Sequence, residues 1–175
     1  LPAGARVATS MPAVRTDRNG FGDYSAHNYE ALIDYPVEIA ELDECRFSVH
    51  DIEHRLAIYG RHDCDFDRLA GDLERICRVH AELFGELPIG QYLFLVTAVG
   101  DGYGGLEHRD STSLICSRKE LPPRQPDSDS KVSKEYRRFL GLCSHEYFHL
   151  WNVKRIRPEV LKRARLDQET HTSLL

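Results

Sequence analysis

Residues 145 to 149 read His-Glu-Tyr-Phe-His, and this pentapeptide constrains the chain more than any other stretch. On a helix, His145 and His149 lie just over one turn apart, so both imidazoles leave the same face. That face can hold one zinc ion at the roughly 2.0–2.1 Å that imidazole ligation requires. Glu146 sits about 100° further round, where it joins the ligand set poorly but reaches a water on the metal. Two neutral donors and an offset carboxylate suit metal-assisted peptide hydrolysis, with Glu146 as general base.

With nine histidines in 175 residues, the pattern needs a helix around it, and the flanks predict one over 130–151. From Ser133 to Trp151 there is no proline, and Gly141 is the one weak helix former. Tyr136, Leu140, Cys143, Tyr147 and Leu150 recur at three- and four-residue steps, as in a helix packed on a core. Ser130 or Ser133 is placed to cap its start, and Glu135 complements the dipole of the first turn.

The rest of the chain describes the scaffold. A hydrophobic fraction of 41% and a charged fraction of 29% are those of a soluble globular protein. No apolar run approaches the roughly 18 residues that span a bilayer, so no membrane partner is expected. A net charge of −5 argues against a nucleic-acid partner. The basic stretch of Lys154, Arg155, Arg157, Lys162, Arg163 and Arg165 is read as solvated or ion-paired surface. Five cysteines show no metal-ligand spacing and read as buried thiols. They favour a reducing compartment, cytoplasmic over periplasmic. The chain begins at Leu1 with no signal-peptide pattern, and is expected to be a piece of a longer protein.

Residues 1–28 read as loop and extended chain, and Asn28–Asp34 as one short helical turn. Strands are expected at Val37–Ala40, Arg46–His50, Arg55–Tyr59, Leu106–Glu107 and Thr112–Ser117. Phe66–Phe84 forms a long helix, with Phe66, Leu69, Leu73, Ile76, Cys77, His80, Leu83 and Phe84 on one face and Gly85 as its cap. Gln91–Val99 is apolar on both faces and should be a central strand. Arg118–Lys131 is a polar, proline-rich loop. The class is α+β: a mixed or antiparallel sheet lobe followed by the motif helix.

After His149 the chain continues Leu150-Trp151-Asn152-Val153-Lys154-Arg155-Ile156-Arg157-Pro158. This run resembles the glycyl aminopeptidase family of zinc metallopeptidases. Tyr103-Gly104-Gly105-Leu106-Glu107-His108 with Ser111-Thr112, and Asn28 to Glu38 at the entry to the catalytic domain, resemble further segments of that family in the same order. The resemblance implies a zincin-like, thermolysin-type catalytic domain of the gluzincin class. Residues 1–120 would be its strand-rich lobe and 152–175 the truncated start of a helical lobe. A PDZ domain and an N-terminal β-domain are expected in the parent protein.

The same resemblance implies one zinc ion held by His145 and His149, and removal of small N-terminal residues, glycine or alanine, from peptides with a free N-terminus. Gly104 and Gly105 would let a substrate strand approach an open edge, with Glu107 pairing with its α-ammonium. His108 is a weaker candidate for the substrate pocket, and Trp151 should pack beneath the helix. The third zinc ligand, a glutamate on the next helix, is expected just beyond Leu175, and none of Glu159, Asp167 and Glu169 stands in its place. The chain as given is therefore expected to bind metal weakly and to show little or no activity. Two alternatives remain: a zinc endopeptidase in which Glu107 anchors nothing, and a non-catalytic member that binds peptide termini.

Overall fold

A computed structural model describes residues 4–125 and 132–157. Residues 4–41 carry strands where loop was expected before Asn28, and the short helix and strand expected after it. They contain β1 (Arg6–Thr9), β2 (Ala13–Thr16), β3 (Gly22–Tyr24), a short helix α1 (Tyr29–Ile33) and β4 (Val37–Ala40). β1 pairs with β4 and β2 with β3, both antiparallel. β1, β2 and β3, at three or four residues each, are too short to show a period of two, which is why the sequence hides them. The Asn28 side chain caps α1 by accepting the Ala31 N–H at 2.8 Å.

The centre is a five-stranded mixed sheet of β5 (Leu42–Val49), β6 (Ile52–Tyr59), β7 (Gln91–Val99), β8 (Tyr103–Glu107) and β9 (Ser111–Ser117), in the order β5-β6-β7-β9-β8. β5 and β6 form one hairpin, longer than the two fragments expected. It turns at His50 and Asp51, both with positive φ (48° and 63°), as a tight hairpin turn requires. No glycine or asparagine marks that turn, so the sequence conceals it. β6 and β7 run parallel, which demands a crossover. The helix α2 (Phe66–Phe84) supplies it, capped by Asp65 and by Gly85 in the left-handed region.

β7 is central, as its composition predicts. Tyr92, Phe94 and Val96 face the main core under α2 and the motif helix, α3 (Lys134–Phe148), while Leu93 and Leu95 face Ala8, Ala40, Leu42 and Ala57. Leu83 departs from the expected buried face of α2 and is 71% exposed. The helix α3 is shorter than the 130–151 expected. Ser133, not Ser130, caps it, accepting the Tyr136 N–H at 3.0 Å. Past Phe148, bonds from Leu150 to Tyr147 and from Trp151 to Phe148 tighten the chain into a turn. Of the loop expected at Arg118–Lys131, residues 126–131 lie outside the described residues, as do 158–175 with Pro158, Glu159, Asp167 and Glu169.

Candidate metal and peptide site

The motif helix is fixed in rotation from below. The Tyr147 hydroxyl meets His54 Nε2 of β6 at 2.8 Å, and His54 Nδ1 meets the Ile52 carbonyl at 3.0 Å. Nδ1–H therefore donates to Ile52, leaving Nε2 to accept from tyrosine. Burial pulls the His54 pKa down to about 4, so the ring stays neutral. Trp151 is buried as expected and stacks on Phe84, with ring centroids 4.5 Å apart.

His145 and His149 bring their Nε2 atoms to 3.1 Å, with the rings perpendicular. His149 Nδ1–H donates to the Asn152 carbonyl, so its Nε2 carries the lone pair. Two imidazole nitrogens converge this closely only around a shared proton or cation. Tetrahedral zinc with imidazole bonds of about 2.0–2.1 Å would hold them about 3.3 Å apart. The donor set therefore fits the metal that the motif implies.

Glu146 is 4% exposed, and its Oε2 has no hydrogen-bond partner among the described residues. Burial raises its pKa; the imidazoles of His145 and His149 oppose that shift, and Glu107 adds to it. The result is a carboxylate of enhanced basicity beside the two nitrogens. Donor atoms of Glu107, Glu146 and His149 all lie within 4.8 Å of one another. Glu107 thus comes from the sheet to meet two residues from the helix.

Strand β8, which carries Glu107, lies at the sheet edge, paired on one side with β9. Its two glycines play different parts. A Cβ on Gly104 would meet open space, whereas one on Gly105 would strike Glu146, 2.6 Å from Cγ and closer to the carboxyl group. Gly105 makes room for Glu146 directly.

The sequence missed Asp34. Its carboxylate accepts Lys154 Nζ at 2.9 Å, the Arg109 N–H at 3.0 Å and His108 Nδ1 at 3.4 Å. Lys154 is thus ion-paired, while Arg155 donates to the carbonyls of Arg109, Leu150 and Pro88. His108 is buried against Asp34. No local signal joins these residues, which come from three separate segments.

The M61 glycyl aminopeptidase family matches residues 138–175, and the Peptidase M61 N-terminal domain matches residues 1–41. A crystal structure of an aminopeptidase N family protein from Idiomarina loihiensis is 43% identical, with a TM-score of 0.90 over 96% of this chain. The chain belongs to the M61 glycyl aminopeptidase family. The N-terminal M61 match takes in Asn28–Glu38, the stretch read from sequence as the entry to the catalytic domain. The chain spans 28% of the Idiomarina protein's length.

The fold is also similar to that of an M1 zinc metallopeptidase from Deinococcus radiodurans, at 17% identity and a TM-score of 0.53 over 89% of this chain and 33% of that one. A mutant of that enzyme bound to a Tyr-Ser-Ala substrate aligns at 16% identity with the same score, over the same shares of the two chains. No curated protein matches significantly. Among the described residues, no helix is long and apolar enough to cross a membrane.

Proposed function

We propose that this M61 chain carries the catalytic face of a thermolysin-type zinc aminopeptidase that releases glycine or alanine from the free N-terminus of peptides. The observation that carries the reading is the meeting of Glu107 from the sheet edge with Glu146 and His149 from the helix, donor atoms within 4.8 Å. His145 and His149 would hold zinc through Nε2. Zinc, when bound, supplies a Lewis acid that brings a water's pKa near 7.

The remaining steps belong to the protein. Glu146 accepts a proton from the attacking water and returns it to the leaving amine. The Glu107 carboxylate pairs with the substrate α-ammonium in a charge-assisted bond. The free edge of β8 takes the substrate backbone as an added strand. In this division the strands from β1 to β9 form the strand-rich lobe of the domain. Kinship with a glycyl aminopeptidase family supports the small-residue preference.

The reading is tested in the natural full-length protein with glycyl, alanyl and N-acetylated amides. Glu146→Gln should keep the metal and lose turnover on the order of 100-fold or more. Glu107→Gln should raise KM for substrates with a free amine. A Glu146→Gln protein at wild-type rate would refute the base assignment. Equal cleavage of blocked and free substrates would favour an endopeptidase.

A further inference from the structure

β8 is fastened at both ends. At its start, the Arg138 guanidinium of α3 lies 3.8 Å over the Tyr103 ring and bonds the buried Glu120 carboxylate at 2.9 Å. At its far end the fastening is Asp34, which bonds both to the chain just past β8 and to the segment just past α3. Asp34 accepts the N–H of Arg109, two residues past Glu107, and also the Lys154 ammonium. The Lys154 N–H donates to the His149 carbonyl at 3.1 Å. A path of hydrogen bonds joined by the Lys154 side chain therefore runs from Arg109, just past the strand bearing Glu107, through Asp34 to the His149 carbonyl. Arg155 reinforces it by holding the Arg109 carbonyl at 3.1 Å.

We infer that Asp34 is a positioning residue which fixes the span between Glu107 and His149, and so sets the spacing of amine and scissile carbonyl that a substrate must match. The inference rests on the reading of Glu107 as the amine anchor. Asp34 and Lys154 have side chains only 18% and 16% exposed, so solvent screens their pairing weakly. A displacement of about 1 Å at a reacting centre costs on the order of 100-fold in rate. A latch acting on the anchor wall is therefore read out by substrate length.

The test compares glycyl amides with β-alanyl amides, which carry one extra methylene between amine and carbonyl, in the zinc-loaded full-length protein. Asp34→Ala should lower kcat/KM for the glycyl amide about 10- to 100-fold, chiefly through KM. It should lower it much less for the β-alanyl amide, so the selectivity ratio collapses. Lys154→Met should shift the ratio in the same direction, and Asp34→Asn should partly restore it. Zinc affinity, measured by chelator competition, should be unchanged in Asp34→Ala. If that variant fails to fold, Lys154→Met and Asp34→Asn carry the comparison. Equal losses on both substrates, or lost zinc affinity, would overturn the inference as a mere effect on fold or metal site. Glu107→Gln is run alongside: if it costs nothing on glycyl amides, the anchor reading itself fails. If it is costly while the ratio stays fixed in the Asp34 and Lys154 variants, only the latch fails.

Discussion

A methyl group placed on Gly105 would fall on the carboxyl group of Glu146. Strand β8 and helix α3 therefore approach to a distance that this pair of residues sets. Gly105→Ala should leave the backbone of β8 intact, because Gly105 does not sit at positive φ, yet push the Glu146 side chain aside. Turnover should fall on the order of 100-fold with zinc affinity retained. Gly104→Ala, whose methyl enters open space, should leave Glu146 in place and cost markedly less. Parallel assays of the two variants check this, and equal effects would contradict it.

Tyr147→Phe should destabilise the fold more than the loss of one hydroxyl suggests. It leaves His54 Nε2 buried with no donor, since Nδ1 is committed to Ile52. An orphaned buried group of this kind costs about 1–3 kcal/mol. Urea denaturation measures the loss. An unchanged midpoint would mean that the pair does not anchor α3.

Asp34 gives stability a defined dependence on acid. Burial alone would raise its pKa, but hydrogen bonds from His108, Lys154 and the Arg109 N–H outweigh burial and hold it at about 2, against an ordinary 3.8. A carboxyl whose folded pKa lies below the unfolded one adds stability above the unfolded value, which is lost as pH falls through the folded one. The stability gap between wild type and Asp34→Asn should therefore be full near about pH 6, on the order of 2 kcal/mol. It should close from about pH 4 to about pH 2. Denaturant curves at several pH values would show it, and a gap that persists at the acid end would contradict it.

Zinc should stabilise the folded protein by mass action, by about 2.7 kcal/mol when free metal is 100 times its dissociation constant. Scanning calorimetry with and without zinc reads this as a rise in Tm. His149→Ala should abolish the rise, since it removes one of two nitrogens that meet at 3.1 Å. A rise that survives the substitution would place the metal elsewhere.

The long, strongly patterned elements were legible from sequence. Phe66–Phe84 showed its stripe and its C-terminal cap Gly85, and Gln91–Val99 its two apolar faces. The β5–β6 hairpin was cut short because His50 and Asp51 turn without a glycine or asparagine to announce it. In the site, His145, Glu146 and His149 could be read because helical spacing alone puts them together. Asp34 and Lys154 could not, for they are 120 residues apart in the chain and meet only through the folded sheet. Gly105 was read as room for a substrate, whereas the room it leaves is filled by Glu146, a relation that needs the helix in place.

The exposed border of β8 carries a risk as well as a use. Unpaired backbone groups along a sheet margin attract any extended chain, including a second copy of the same protein. Five residues with two central glycines make a poor template for stacking. Under the proposed function, brevity and weak strand preference suit this border to a short passing peptide while discouraging a permanent neighbour. Lengthening the strand, or enriching it in branched residues, would exchange turnover for fibre formation.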